Sequence, residues 1–280
     1  MVILIPVIPK QTGLDLSWLV MKKCSKCDKA RPYFLSDGRL KCRVCGHRFS
    51  WTSVWDSVRL RASTKHRLLN SFVLGVPSYR QRFQKDASAP STERFYRLCR
   101  ACCAGVENLR EPFNGSVECD ETTFGGYRRG SKPGWEAEGK VIVFGLVKRN
   151  GHVKAFPIPA RQRRPVMAKI QAHTREGAVF YTDQWNAYVA LRLRGEHVVV
   201  RKRQGRPVGR NHVNGIEGFW SYAKHWLYPY RGVPRKYFHL YLAETCFRFN
   251  HRDQDLQPLL LNIMRTTPIQ LLRPVLVRFA

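Results

Sequence analysis

Acidic residues are scarce in this chain. Only 20 Asp and Glu stand against 49 Lys and Arg in 280 residues, giving a formal charge of +29 and a pI near 10.3. Such an imbalance disfavours self-association unless something anionic neutralises it. Nucleic acid is the first candidate and an anionic membrane surface the second. Long apolar runs are also lacking: none approaches the roughly 18 residues needed to cross a bilayer. The apolar start, Met1 to Pro9, has no basic segment ahead of it and no small-residue cleavage site, and it contains Pro6 and Pro9. It is therefore not read as a secretion signal, and the expected compartment is the cytoplasm, in association with the nucleoid. Internal repeats and low-complexity tracts are absent, which excludes solenoids. Hydrophobic residues, by contrast, reach 44% and aromatics 12%, which excludes a disordered polycation. Length alone suggests roughly two domains of about 150 residues each.

Nine cysteines are an odd number, and four of them fall in a ligand pattern. Cys24-x2-Cys27 and Cys42-x2-Cys45 are separated by 14 residues. Two such pairs, each on a tight turn, make a tetrahedral four-cysteine zinc site. With four protein ligands the zinc is structural, and a block as small as 22–50 needs it, having no core of its own. Cys99, Cys102 and Cys103 lack a second pair and are read as helix packing. Cys119 and Cys246 are read as small buried hydrophobes.

Residues 62–110 read as helical: Lys65–Leu74, a turn at Gly75-Val76-Pro77-Ser78, Tyr79–Gln84, a loop at 86–90, then a third helix with Ser91 as N-cap. Three helices around a Gly-containing turn suit a helix-turn-helix, with a helical spacer as the bland alternative. Arg94, Arg97 and Arg100 share the third helix and are the candidate DNA contacts.

From about 113 the pattern changes. Val117–Phe124, Lys140–Lys148 and His152–Ile158 are strand-like, the last two joined by a hairpin signal at Asn150-Gly151. Pro165–Thr174 reads as a helix, Ala178–Thr182 as a strand, Asn186–Arg194 as a helix and His197–Arg201 as a strand. Asn214–Leu227 and Tyr237–Asn250 are amphipathic helices. Three antiparallel strands followed by alternating helix and strand is similar to the RNase H-like order, an α/β fold with a mixed sheet between helices. Residues 1–21 stay unassigned. In 256–280, Leu259–Ile263 and Ile269–Val277 are read as packing helices or a dimer contact.

Because acids are few, their positions carry information. Strand alternation puts Glu118, Asp120 and Thr122 on one face of Val117–Phe124, with Cys119, Glu121 and Thr123 on the other. A carboxylate inside a central strand is costly unless it is paired or binds a cation. Asp183 directly follows a strand, where sites gather in open sheets; the alternative is an N-cap for the helix at Asn186. On the helix from Asn214, Ile216, Phe219, Ala223, Trp226 and Leu227 share one face, while Asn214, Glu217, Ser221 and Lys224 share the other. Asp120, Asp183 and Glu217 thus lie on strand one, strand four and a late helix. Clustered oxygen ligands favour Mg²⁺ or Mn²⁺. Two such ions about 4 Å apart would activate a water or a 3′-hydroxyl and stabilise the leaving oxygen.

These residues resemble a known family. Glu118-Cys-Asp-Glu-Thr-Thr-Phe-Gly-Gly126, Thr182-Asp-Gln-Trp-Asn-Ala-Tyr188, His212-Val-Asn-Gly-Ile-Glu-Gly-Phe-Trp220 with Lys224, and Phe247-Arg-Phe-Asn-His-Arg252 are similar to bacterial insertion-sequence transposases of the DDE class. The branch is the ISXO-like one, related to Merlin elements, and the resemblance runs from about 22 to 255, zinc ribbon included. It implies metal-dependent cleavage at the ends of a mobile element and transfer of the 3′-hydroxyl into target DNA. It also implies Asp120 and Asp183 as metal ligands, and at least a dimer on DNA. The family pattern puts the third ligand at Asn214, whereas chemistry favours the carboxylate Glu217; both are retained. Lys224 is expected on a terminal or scissile phosphate.

Seven Lys or Arg and one Glu occupy 192–210, including Arg201, Lys202, Arg203 and Arg206, which are candidate DNA contacts. Another ten Lys or Arg and two Glu occupy 128–164. Trp135, Trp185, Trp220 and Trp226 are candidates for base stacking, with core packing favoured for the last two. Two other functions stay open: an RNase H-like nuclease or resolvase without strand transfer, and an inactive zinc-ribbon DNA-binding regulator.

Overall fold

The computed structural model describes residues 24, 26, 27, 29, 32–36, 39–50, 52–126, 135, 139–200 and 212–277. The expected readings at 1–21 and the candidate contacts Arg201, Lys202, Arg203 and Arg206 lie outside the described residues. Near the start, β1 (Pro32–Phe34), β2 (Leu40–Cys42) and β3 (Arg48–Phe49) form a small antiparallel sheet in that order. Cys24 and Cys27 precede β1, while Cys42 ends β2 and Cys45 lies in the turn to β3.

A five-stranded mixed sheet sits at the centre. Its strands are β4 (Ser116–Phe124), β5 (Val141–Lys148), β6 (Val153–Ile158), β7 (Val179–Thr182) and β8 (Glu196–Val199), in the order β6-β5-β4-β7-β8. β4, β5 and β6 pair antiparallel, while β4–β7 and β7–β8 pair parallel. The β5–β6 hairpin closes as the Asn-Gly signal requires: Asn150 takes φ of 57° and the Lys148 N–H donates to the His152 carbonyl. Alternation along β4 separates two cores. Val117 and Cys119 face helix α3 (Arg163–His173) and the 3-10 segment Asn186–Leu193. Phe124 faces helices α4 (Asn214–Leu227) and α5 (Phe238–Asn250).

A second helical layer packs against the far side of α5. It comprises α1 (Ala62–Val73), α2 (Ala89–Leu109), α6 (Leu256–Thr266) and α7 (Ile269–Val277). Leu240 and Phe247 of α5, Leu260, Ile263 and Met264 of α6 and Leu272 of α7 share one core with Leu68, Phe72 and Phe95. The C-terminal helices therefore belong to the same packed layer as residues 62–110. Cys99, Cys102 and Cys103 are buried in that layer, where burial pushes their thiols up.

Three local expectations are corrected. The N-cap of α2 is Ser88, whose side chain accepts from the Ser91 N–H, and Pro90 lies inside the first turn, where a missing N–H costs nothing. Residues 78–83 and 186–193 are 3-10 rather than α-helical. Arg100 does not reach the surface. Its side chain is 1% exposed and its Nε donates to Glu244 at 2.7 Å, with the guanidinium 3.6 Å from the Tyr241 ring centre. Arg248 completes this buried cluster, donating to Glu244 and to the carbonyls of Phe72 and Val73. Both carbonyls lie in the last turn of α1, and that of Phe72 also accepts from the Gly75 N–H at 3.0 Å. Of the three arginines on α2, Arg94 alone is exposed; Arg97 lies over the Tyr237 ring at 4.0 Å.

Candidate functional site

The sulfurs of Cys24, Cys27, Cys42 and Cys45 all lie within 4.8 Å of one another. Cys24 to Cys45 measures 3.5 Å and Cys27 to Cys42 3.6 Å. A tetrahedral zinc with arms of about 2.3 Å has sulfur edges of roughly 3.8 Å, so the donors fit that ion. Backbone N–H groups of Val44 and Cys45 point at the Cys42 sulfur. The Cys45 N–H most of all pulls the Cys42 thiol down to about 6 against the opposing effect of burial. The Cys27 thiol, against the pull of the Lys29 N–H, is pushed up to about 12 by burial and the neighbouring cysteines.

The carboxylates are arranged differently. β4 and β7 run parallel with Glu118 opposite Tyr181. The pairing ends there: Asp120 lies two residues further along β4, and Asp183 directly follows Thr182, the last residue of β7. Asp120 accepts a hydrogen bond from the Trp220 Nε1–H at 3.1 Å. Trp220 reaches it because Gly145, the β5 partner of Asp120, leaves the space. A Cβ on Gly145 would stand 2.6 Å from the indole.

Asp183 bonds its own turn, Oδ1 accepting from the Trp185 N–H at 3.1 Å. It does not cap the 3-10 segment, whose N-cap is Trp185 with no side-chain cap bond. Its other oxygen is 3.9 Å from Arg161. That guanidinium lies between the Trp135 and Trp185 rings, 4.6 and 4.4 Å from their centres, and pairs with Glu121 at 3.3 Å. Glu121 faces the α3 side, accepts from the Tyr188 hydroxyl and is pushed up to about 7 by burial.

Glu118 holds the start of α4. Buried to 1% exposure, it accepts from the Ile216 N–H at 2.9 Å and the Arg149 Nε–H at 3.0 Å. A carboxylate at a helix N-terminus satisfies an otherwise unpaired N–H and meets the positive end of the helix dipole. Gly215 makes the approach possible, since a Cβ there would stand 2.8 Å from Glu118 Oε2. Asn214 and Glu217 sit in the first turn of α4 and are exposed, as are Ser221 and Lys224. Among the described residues, the four cysteines are the one group of three or more metal-ligating side chains with all ligand atoms within 4.8 Å. Asp120, Asp183 and Glu217 do not form such a closed group. Trp220 and Trp226 are packed rather than exposed, Trp226 lying against Gly75.

Sequence patterns alone did not reveal Arg161, Arg149 or the donor role of Trp220. The pairing of Gly145 with Asp120 is the one signal pointing to an indole lying over the strand. No described helix is long and apolar enough to cross a membrane.

Residues 112–250 match the ISXO2-like transposase domain. An uncharacterized transposase-like protein of Haemophilus influenzae is 29% identical over 97 residues, 34% of this chain and 79% of that protein. The matched span runs from just before β4 to the end of α5, so it contains the sheet, Asp120, Asp183 and the α4 residues together, and through this domain the chain belongs to the insertion-sequence transposases of the ISXO2-like branch.

Proposed function

We propose that the chain cuts DNA at the ends of its mobile element and joins the freed 3′-hydroxyl to target DNA, using an RNase H-like catalytic sheet. One observation supports this reading: Asp120 lies on β4, and Asp183 directly follows β7, the strand that pairs parallel beside it. The strand order supports it, with three antiparallel strands followed by two parallel to the first. Hard oxygen donors suit Mg²⁺ or Mn²⁺. Asp120 and Asp183 would hold the ions, with Glu217 or Asn214 as the third ligand. Such ions supply Lewis-acid activation of the attacking oxygen and charge stabilisation of the leaving one.

The chain's own groups set the geometry. The Trp220 N–H orients the Asp120 carboxylate, and the Asp183 turn holds its carboxylate at the strand end. Arg161 neutralises Asp183 from the side, while Glu118 fixes the first turn of α4. Lys224, about two turns along the same face from Glu217, places a compact positive charge on a nearby phosphate. Joining two element ends calls for at least two chains on DNA. The test is cleavage of a labelled duplex carrying the element's end with Mg²⁺ added, followed by strand transfer into a supercoiled target. Asp120→Asn should bind the end and fail to cut it. Cutting without transfer would instead favour a nuclease or resolvase.

A further inference from the structure

The inward placement of Arg97 and Arg100 leaves α2 with little to offer DNA. A different surface has the required chemistry. The outer stripe of α4, comprising Asn214, Glu217, Ser221, Lys224 and His225, is exposed throughout, and Tyr228 continues it at 83% exposure. The stripe does not stop there. The Tyr79 hydroxyl donates to the Pro229 carbonyl at 3.0 Å, and a Cβ on Gly75 would stand 2.5 Å from Trp226. The 3-10 turn Ser78–Phe83 is therefore docked against the far end of α4. That turn presents Arg80 and Arg82 to solvent, with Phe83 77% exposed and the Arg82 guanidinium over its ring at 4.6 Å. The acids closest in sequence to the turn are already engaged: Asp86 with Arg67, and Glu93 with Ser78.

We propose that the outer stripe of α4 and the turn Ser78–Phe83 form one continuous track for the phosphate backbone of duplex DNA, entering at Arg80 and Arg82 and ending at the carboxylates. The inference rests on the transposase reading and adds the path that DNA takes to the site. Its length follows from helix geometry. The fourteen steps from Asn214 to Tyr228 rise about 21 Å at about 1.5 Å each. At about 3.4 Å per base pair, the arginine contacts fall roughly six base pairs from the phosphate that is cut. Charge and exposed aromatic surface together suit a sugar–phosphate chain, and an arginine pair at this separation would set register without reading sequence.

The test is fluorescence anisotropy with a labelled duplex of arbitrary sequence, without added magnesium, across a salt series. Arg80→Gln with Arg82→Gln should lower the slope of log affinity against log salt by about two, and weaken binding by on the order of tenfold per arginine near 0.1 M salt. Arg175→Gln with Arg192→Gln removes the same charge from the α3 side of the sheet and should change neither by a comparable amount. Arg80→Lys with Arg82→Lys should restore the slope. An unchanged slope in the first pair, an equal loss in the control pair, or no rescue by lysine would overturn the track. Because binding is read without cleavage, these results stand apart from the Asp120→Asn test. An inactive Asp120→Asn chain with an intact track slope, or the reverse, assigns the failure to one proposal only.

Discussion

The four-cysteine cluster and the proposed carboxylate site of this molecule are built in opposite ways. The four cysteines come from two short turns within 22 residues of chain, and their sulfurs already lie at zinc-binding separations. The carboxylates come from β4, the end of β7 and the start of α4, nearly 100 residues apart, and they are held by other groups rather than by each other. The first region is closed and has no position left for a substrate. The second is partly exposed, with Asp120 accepting from the Trp220 N–H and Asp183 from the Trp185 N–H. A structural ion needs the first arrangement. A pair of ions that must admit a phosphodiester needs the second.

Removing a ligand should therefore have different consequences in the two regions. Cys42→Ser is expected to have the largest effect, because structural zinc contributes on the order of 10 kcal/mol to folding of its own segment. Zinc content measured on the purified chain should fall from about one ion to none, and the ribbon should become protease-sensitive. Retention of zinc in the variant would break the contrast from the closed side. Asp120→Asn should leave folding intact and slow cleavage roughly a thousandfold. That corresponds to several kcal/mol of charge stabilisation at about 1.4 kcal/mol per tenfold, and single-turnover cutting would measure it.

Glu118 separates holding from binding. Glu118→Ala leaves the buried Ile216 N–H without its acceptor and the half-buried Arg149 without its carboxylate, and is expected to cost about 2–3 kcal/mol in chemical denaturation. Glu118→Gln keeps an acceptor for that N–H, and should recover part of the stability while raising the magnesium concentration needed for half-maximal cutting. Equal loss in both variants would mean that only the charge matters.

The reverse face offers a pH test. Burial raises Glu121 from 4.5 to about 7, so the folded chain binds more protons than the unfolded chain between those values. The stabilisation is present at lower pH and is lost as pH rises from about 4.5 to about 7. Thermal melts of Glu121→Gln should lack this fall; an unchanged pH dependence would remove Glu121 as its source.

These differences also decide what could be read from the sequence. The cysteine pairs are legible because their spacing is the site. Strand alternation on β4 was legible as well, and it put Asp120 and Glu121 on opposite faces, as the two cores of the sheet require. The outer face of α4 followed from helical periodicity alone. What periodicity cannot give is which distant group approaches a carboxylate. Trp220 reaches Asp120 across a glycine on another strand, and Arg161 is held by two indoles and a buried glutamate. Arginines at three-residue spacing on a helix look like a DNA-reading face, yet Arg100 is an internal ion-pair partner of Glu244, itself on a helix more than 140 residues away. Local signals err on a smaller scale. Ser88 and Ser91 are both good caps, and the choice depends on where the chain leaves the preceding loop. Ser88→Ala should cost about 1 kcal/mol and Ser91→Ala less, the smallest effect expected here.

The most direct measurement is Mg²⁺-dependent nicking of a labelled duplex bearing the element's end, comparing the wild-type chain with Asp183→Ala. The expected result is nicking at the end that requires the metal and disappears in Asp183→Ala while DNA binding persists. Nicking that survives in Asp183→Ala would contradict the assignment of the open site. Binding without nicking in either chain would contradict the enzyme and favour a DNA-binding regulator.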